Sequence, residues 1–85
     1  MSKLKFDRLI SLSIQSREST KVPNGELWRV SLYVPDVRSI YINDSGKLGE
    51  TSNELAFSEG TIIKNMNSNF SMEIGGIAFK VVENV

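Results

Sequence analysis

The chain has 85 residues, with ten basic and ten acidic side chains that cancel and an apolar share of 40%. That is enough for one globular domain and argues against wholesale disorder. Cysteine and histidine are both absent, which excludes disulfides, thiolate chemistry and the side chain most used as general base or metal ligand.

Along the chain, Leu4 to Ile14 alternates, with Leu4, Phe6, Ile10, Leu12 and Ile14 on one side and Asp7, Ser11 and Ser13 on the other. Arg8 interrupts the apolar side and Leu9 the polar one. Period two over this length predicts a strand with one buried face, and the paired exceptions predict a bulge near Arg8 and Leu9. Ser16 to Thr20 is polar and reads as a loop. Val22-Pro23-Asn24-Gly25 is a turn, because Pro23 presets φ and Asn24 or Gly25 accepts a positive one. Leu27 to Val34 is the clearest strand. It carries Trp28, Val30, Leu32 and Val34 on one face and Leu27, Arg29, Ser31 and Tyr33 on the other, and Pro35-Asp36 ends it.

Arg38 to Asn43 follows, with Ile40 and Ile42 on one side and Ser39 and Tyr41 on the other. Asn43-Asp44-Ser45-Gly46 is a second turn, and Lys47 to Asn53 has no period and reads as an exposed loop. Glu54 to Phe57 is a short strand with Leu55 and Phe57 inward, closed by a Ser58-Glu59-Gly60 turn. Thr61 to Met66 holds Ile62 and Ile63 side by side, which suits a strand or a turn of helix. Asn65 to Asn69 is a polar tip. Phe70, Met72 and Ile74 alternate, Gly75-Gly76 allows a bend or bulge, and Ile77, Phe79 and Val81 alternate with Ala78, Lys80 and Val82.

These elements predict an all-β fold, a small antiparallel β-sandwich or barrel of about six or seven short strands, in a single domain spanning residues 1–85. Trp28, Leu32, Phe6, Phe57, Phe70 and Phe79 are the expected core.

The chemistry is mostly excluded. The serines have no histidine to activate them, and no lysine stands in a compelling pair with one. Glu50, Glu54 and Glu59 fall in or beside loops and Glu73 on a polar strand face, so they read as solvated charges rather than a hydrolytic pair. Around Asn43 the alternate positions hold Tyr41, Asn43 and Ser45, so a calcium loop lacks its first ligand. Gly75-Gly76 lacks the spacing of a phosphate loop. No catalytic residue, cofactor or metal site is expected.

Zero net charge argues against a nucleic-acid partner, and no apolar run reaches the roughly 18 to 20 residues that cross a bilayer, which argues against a membrane one. The charge is uneven: residues 1–42 hold seven basic and four acidic residues, and residues 43–85 three and six. That split predicts either intermixing by strand pairing or a dipolar, self-associating subunit. The basic start lacks a signal-peptide apolar stretch, so synthesis in a cytoplasm is expected. Tyr33 shares a strand face with Arg29 and Leu27, and Tyr41 lies near Arg38. Tyr and Arg together suit a half-solvated outer sheet face, a protein interface, or a base-stacking or glycan platform; read as an interface, Leu27, Arg29, Tyr33, Arg38 and Tyr41 are the candidate contact residues. An 85-residue sandwich buries a thin core, which oligomerisation would supplement.

Four motifs then carry a resemblance: Val22-Pro23-x-Gly25-x-x-Trp28-x-Val30, Ile40-Tyr41-Ile42-Asn43, Glu59-Gly60-Thr61-x-Ile63 and Ile74-Gly75-Gly76-Ile77-x-Phe79-x-Val81. Together, from Val22 to Val82, they resemble short β-modules of bacteriophage virion proteins, found in head decoration and in tail or fibre appendages. The resemblance implies a non-enzymatic virion component, made in the host cytoplasm, that forms a homo-oligomer or binds other virion proteins. It carries over no catalytic or ligand residue. Two other classes suit a small neutral β-domain: an inhibitor or adaptor that binds one host protein, and a glycan-binding sandwich with Trp28 or Tyr41 exposed in a shallow groove. The expected division of labour is that Trp28→Ala unfolds the domain while Tyr33→Ala leaves it folded and impairs assembly.

Overall fold

The computed structural model describes residues 2–33, 39–43 and 55–83. Val34, the Pro35-Asp36 strand end, Arg38, the Asp44 to Gly46 part of the second turn, the Lys47 to Asn53 loop and Glu54 lie outside the described residues. Seven strands form among those described: β1 (Ser2–Ile14), β2 (Ser19–Lys21), β3 (Glu26–Tyr33), β4 (Ile40–Ile42), β5 (Leu55–Phe57), β6 (Ile62–Asn65) and β7 (Met72–Glu83). They make two antiparallel sheets, one ordered β1-β7-β3-β5 and one ordered β2-β6-β4. The fold is a small all-β sandwich. β2 extends into what the sequence marks as loop, and the ambiguous Thr61 to Met66 segment is a strand.

The inner faces follow the alternation. β3 buries Trp28, Val30 and Leu32; beside them on the same face lie Ile10 and Ile14 from β1, Met72, Ile74 and Ala78 from β7, and Phe57 from β5. The smaller sheet closes this core with Ile40 and Ile63, and Val22 fills the strand-to-turn junction. The turns are where Gly and Pro place them: Gly25 and Gly60 take left-handed φ values of 79° and 81°, which only glycine adopts without cost.

β7 lies between β1 and β3, so the two charge-biased halves of the chain intermix in one sheet. β1 and β7 also pair along their whole lengths, from Ser2↔Glu83 to Ile14↔Met72. β3 reaches only to Lys80. The far end is therefore a two-stranded ribbon, in a molecule measuring 47 × 24 × 21 Å.

Asn65 is a correction to the expected polar tip, because it is fully buried. Its amide nitrogen donates to the carbonyls of Ile14 (3.1 Å) and Phe70 (2.9 Å), and its Oδ1 accepts from the Asn67 amide (3.0 Å). One side chain thus ties the ends of β1, β6 and the segment entering β7, with every buried polar atom paired. Asn67 Oδ1 in turn accepts from the amides of Asn69 and Phe70. This local bonding fixes the backbone with the Phe70 ring 55% exposed, so Phe70 is not core.

Candidate functional site

The main departure from expectation is on the outer face of the four-stranded sheet. The register of β1 against β7 shifts between Phe6 and Arg8, so Asp7 is the extra residue of a β-bulge. One unpaired residue reverses the facing of everything beyond it. Ile10, Leu12 and Ile14 keep to the core side, while Leu4 and Phe6 turn outward, 52% and 57% exposed. Phe6 is therefore not core.

The glycine pair does the opposite of what its sequence suggests. β7 runs through Gly75 and Gly76 with no register shift against either neighbour. Met72, Ile74 and Ala78 stay inward, so Ile77, Phe79 and Val81 stay outward. Phe79 is half-buried on the outer face and is likewise not core. In β1 a bulge moves the apolar residues across; in β7 the sequence itself changes phase and the backbone does not compensate. Both changes fall near the same rung, Arg8↔Ala78, so their results coincide.

The outcome is a contiguous apolar surface. Phe6, Phe79 and Leu27 form one cross-strand row, Leu9, Ile77 and Arg29 the next, and Leu4 lies opposite Val81. Leu9 is 74% exposed. Beyond Arg29 the face becomes polar, with Ser11, Ser13, Ser31, Glu73 and Tyr33. Gly75 and Gly76 carry no side chains of their own, which leaves an open depression of about 280 Å³ bordered by Arg29, Ser31 and Ile77, with the Tyr33 ring against Gly75 at one side. On the ribbon's other face lie Lys3, Lys5 and Lys80.

Of the sequence-predicted contact residues, Leu27, Arg29 and Tyr33 do share this face. Tyr41 belongs to the other sheet, opposite Lys64, and points away from the core. Arg38 lies outside the described residues. The residues missed are Leu4, Phe6, Leu9 and Phe79. The signal that could have found them was the break at Arg8-Leu9, read as a change of face. Comparison with protein-family models, with curated proteins and with solved structures finds no match to this chain.

Arg8 explains itself at the edge of the core. It faces inward after the bulge and meets the buried Glu26 carboxylate as a fork, Nη1 to Oε2 at 3.1 Å and Nη2 to Oε1 at 3.0 Å. Asp7, the bulge residue, accepts from the same guanidinium. Trp28 Nε1 donates to Glu26 Oε1 at 2.9 Å. The Arg8 guanidinium is the main reason the Glu26 carboxyl titrates below its usual range; burial opposes it and the Trp28 indole adds to it. The acid is lowered on folding, so its contribution is complete above the ordinary carboxylate pKa of about 4.3 and is lost as pH falls through the native value. Arg8 stays protonated throughout. Urea midpoints measured from pH 7 to pH 3 should therefore fall more steeply for the native chain than for Glu26→Gln. Parallel curves would show that Glu26 is not linked to folding.

Proposed function

We propose that this chain is a non-enzymatic structural subunit that works through protein–protein contacts made by the outer face of its four-stranded sheet. The observation that carries the reading is the bulge at Asp7, which sends Leu4 and Phe6 to the solvent side beside Leu9, Leu27 and Phe79. A stable monomer keeps such residues inward or scattered; a contiguous apolar patch with a polar border marks a place of contact. A small domain also has most to gain from burial against a partner.

The setting implied by the sequence resemblance is a phage particle, as a decoration or tail subunit. A host-directed adaptor would use the same face. A glycan platform built on Trp28 has no ring to offer, since Trp28 is 3% exposed and its indole is bonded to Glu26.

The test is a photo-reactive residue placed at Leu9, or at Lys64 on the other sheet, in cells that make the protein. Protein adducts from position 9 and not from position 64 are expected, and in the virion setting those adducts sediment with particles. No protein adduct from position 9, or equal adducts from both, would refute the reading.

A further inference from the structure

We infer that the occupant of the outer face is the same face of a second copy of this chain, with Leu9 of each copy seated in the depression between Arg29, Ser31 and Ile77 of the other. The inference rests on the contact reading above and names its partner.

Three observations carry it. The first is shape. The most exposed large apolar side chain, Leu9, and the open depression stand on neighbouring strands of one face, β1 and β7. A two-fold axis lying in the contact plane between them exchanges projection and depression, so each copy fills the other's. An isologous contact requires this self-complementarity.

The second observation is charge. Among the described side chains that β1, β7 and β3 turn outward, Arg29 is the cation and Glu73 the anion. These two opposite charges give the described part of the face no excess of one sign, whereas like charges brought together cost several kcal/mol. The opposite side of the ribbon would repel, because Lys5 and Lys80 already stand across from each other there with Lys3 alongside. A strongly charged partner would find little to pair with on the outer face.

The third is area. β7 contributes 12 residues. At about 3.4 Å per residue and about 4.8 Å per strand, with β1 pairing along all of β7 but β3 along only 8 residues, the face covers roughly 500 Å² in projection. Side-chain relief brings that toward the ~800 Å² that each partner of a standard interface buries. Sheets stacked face to face bury side chains from both in a layer about 10 Å thick, and Leu4, Phe6, Leu9, Leu27, Ile77 and Phe79 are the apolar side chains this face brings to one.

The experiment is sedimentation velocity on the purified chain from 1 to 200 μM, beside Leu9→Lys and Lys64→Ser, with circular dichroism on all three. The native chain and Lys64→Ser should be dimers, and Leu9→Lys should dissociate at least 100-fold more readily with an unchanged spectrum. The absence of cysteine allows a second readout that does not depend on stability. Across a layer about 10 Å thick two cysteines are too far apart for a disulfide, so the cross-link needs a spacer. Leu9→Cys chains mixed with Arg29→Cys chains should be joined by a bis-maleimide spanning about 10 Å, and Leu9→Cys mixed with Lys64→Cys should not. A native chain that is monomeric at every concentration would overturn self-pairing while leaving the contact reading to its own cross-linking test. A dimer that survives Leu9→Lys, with no cross-link between positions 9 and 29, would place self-association elsewhere and overturn the inference directly.

Discussion

Trp28→Ala should leave the chain largely unfolded at 25 °C. Trp28 is 3% exposed and stands between Phe57 and Ala78 in the centre of the larger sheet. Truncating a buried aromatic costs about 3–5 kcal/mol, through lost burial and through the cavity left behind. The change also removes the indole donor from Glu26, a hydrogen bond to a charged group worth about 1.5–3 kcal/mol. A domain of this size has a total stability of roughly 4–13 kcal/mol, so the loss consumes much or all of it. Urea titration followed by far-ultraviolet circular dichroism measures it. Trp28→Phe, which keeps most of the volume and loses only the donor, should cost about 1–3 kcal/mol. Tyr33→Ala is the control: the side chain is 60% exposed on the outer face, so the fold should survive. A Trp28→Ala chain as stable as the Tyr33→Ala chain would contradict the placement of both residues.

Gly76→Ala should cost about 3 kcal/mol, toward the upper end of what overpacking costs, while its neighbour Gly75→Ala should cost almost nothing. Gly76 sits between Ile10 and Val30 in adjoining strands. A Cβ there would run into the Arg29 carbonyl oxygen and lie 2.7 Å from Val30 Cα. Both are backbone atoms of β3, so no side-chain rotation relieves the clash and the two central strands must move apart. At Gly75 the same atom meets only the Tyr33 ring, at 3.6 Å, an ordinary contact. There, alanine also loses less backbone entropy on folding than glycine. Thermal midpoints separate the two variants, since 1 kcal/mol shifts the midpoint of a domain this small by about 4–8 °C. Equal midpoints would mean that β3 and β7 are not in such close approach.

The glycine pair shows why part of this fold was readable from sequence and part was not. Turn chemistry is local: Pro23 to Gly25 and Glu59-Gly60 need nothing beyond their own φ preferences, and both turns form where they were expected. The alternation of β3 is local too, since period two follows from the backbone of one strand, and Trp28, Val30 and Leu32 are inward as read. A glycine inside a strand is different. It permits a bend, and it equally permits a neighbouring backbone to come close. Only the neighbour decides between these, and for Gly76 the neighbour is β3.

The apolar outer face was illegible for the same reason. Phe6 reads as core because it shares parity with Ile10, and Phe79 because it alternates with Ile77 and Val81 as an apolar row beyond glycines that allow a bend or bulge. The first reading fails when Asp7 is left unpaired against β7; the second fails because β7 stays straight. The Arg8-Leu9 break marked where the first change occurs, without its direction. Asn65 was hidden by composition: a run of asparagines reads as solvent-exposed until three strand ends converge on one amide. Leu27, Arg29 and Tyr33 share a face as read, because that needs only the alternation of a single strand.

From the sequence alone came the all-β class, the turns, the inward row of β3 and the absence of cysteine and histidine chemistry, all consequences of local geometry or of composition. The tertiary structure decided which side of the sheet the N-terminal half of β1 and the C-terminal half of β7 present to solvent. Facing depends on the register between strands far apart in the chain, and one unpaired residue is enough to reverse it.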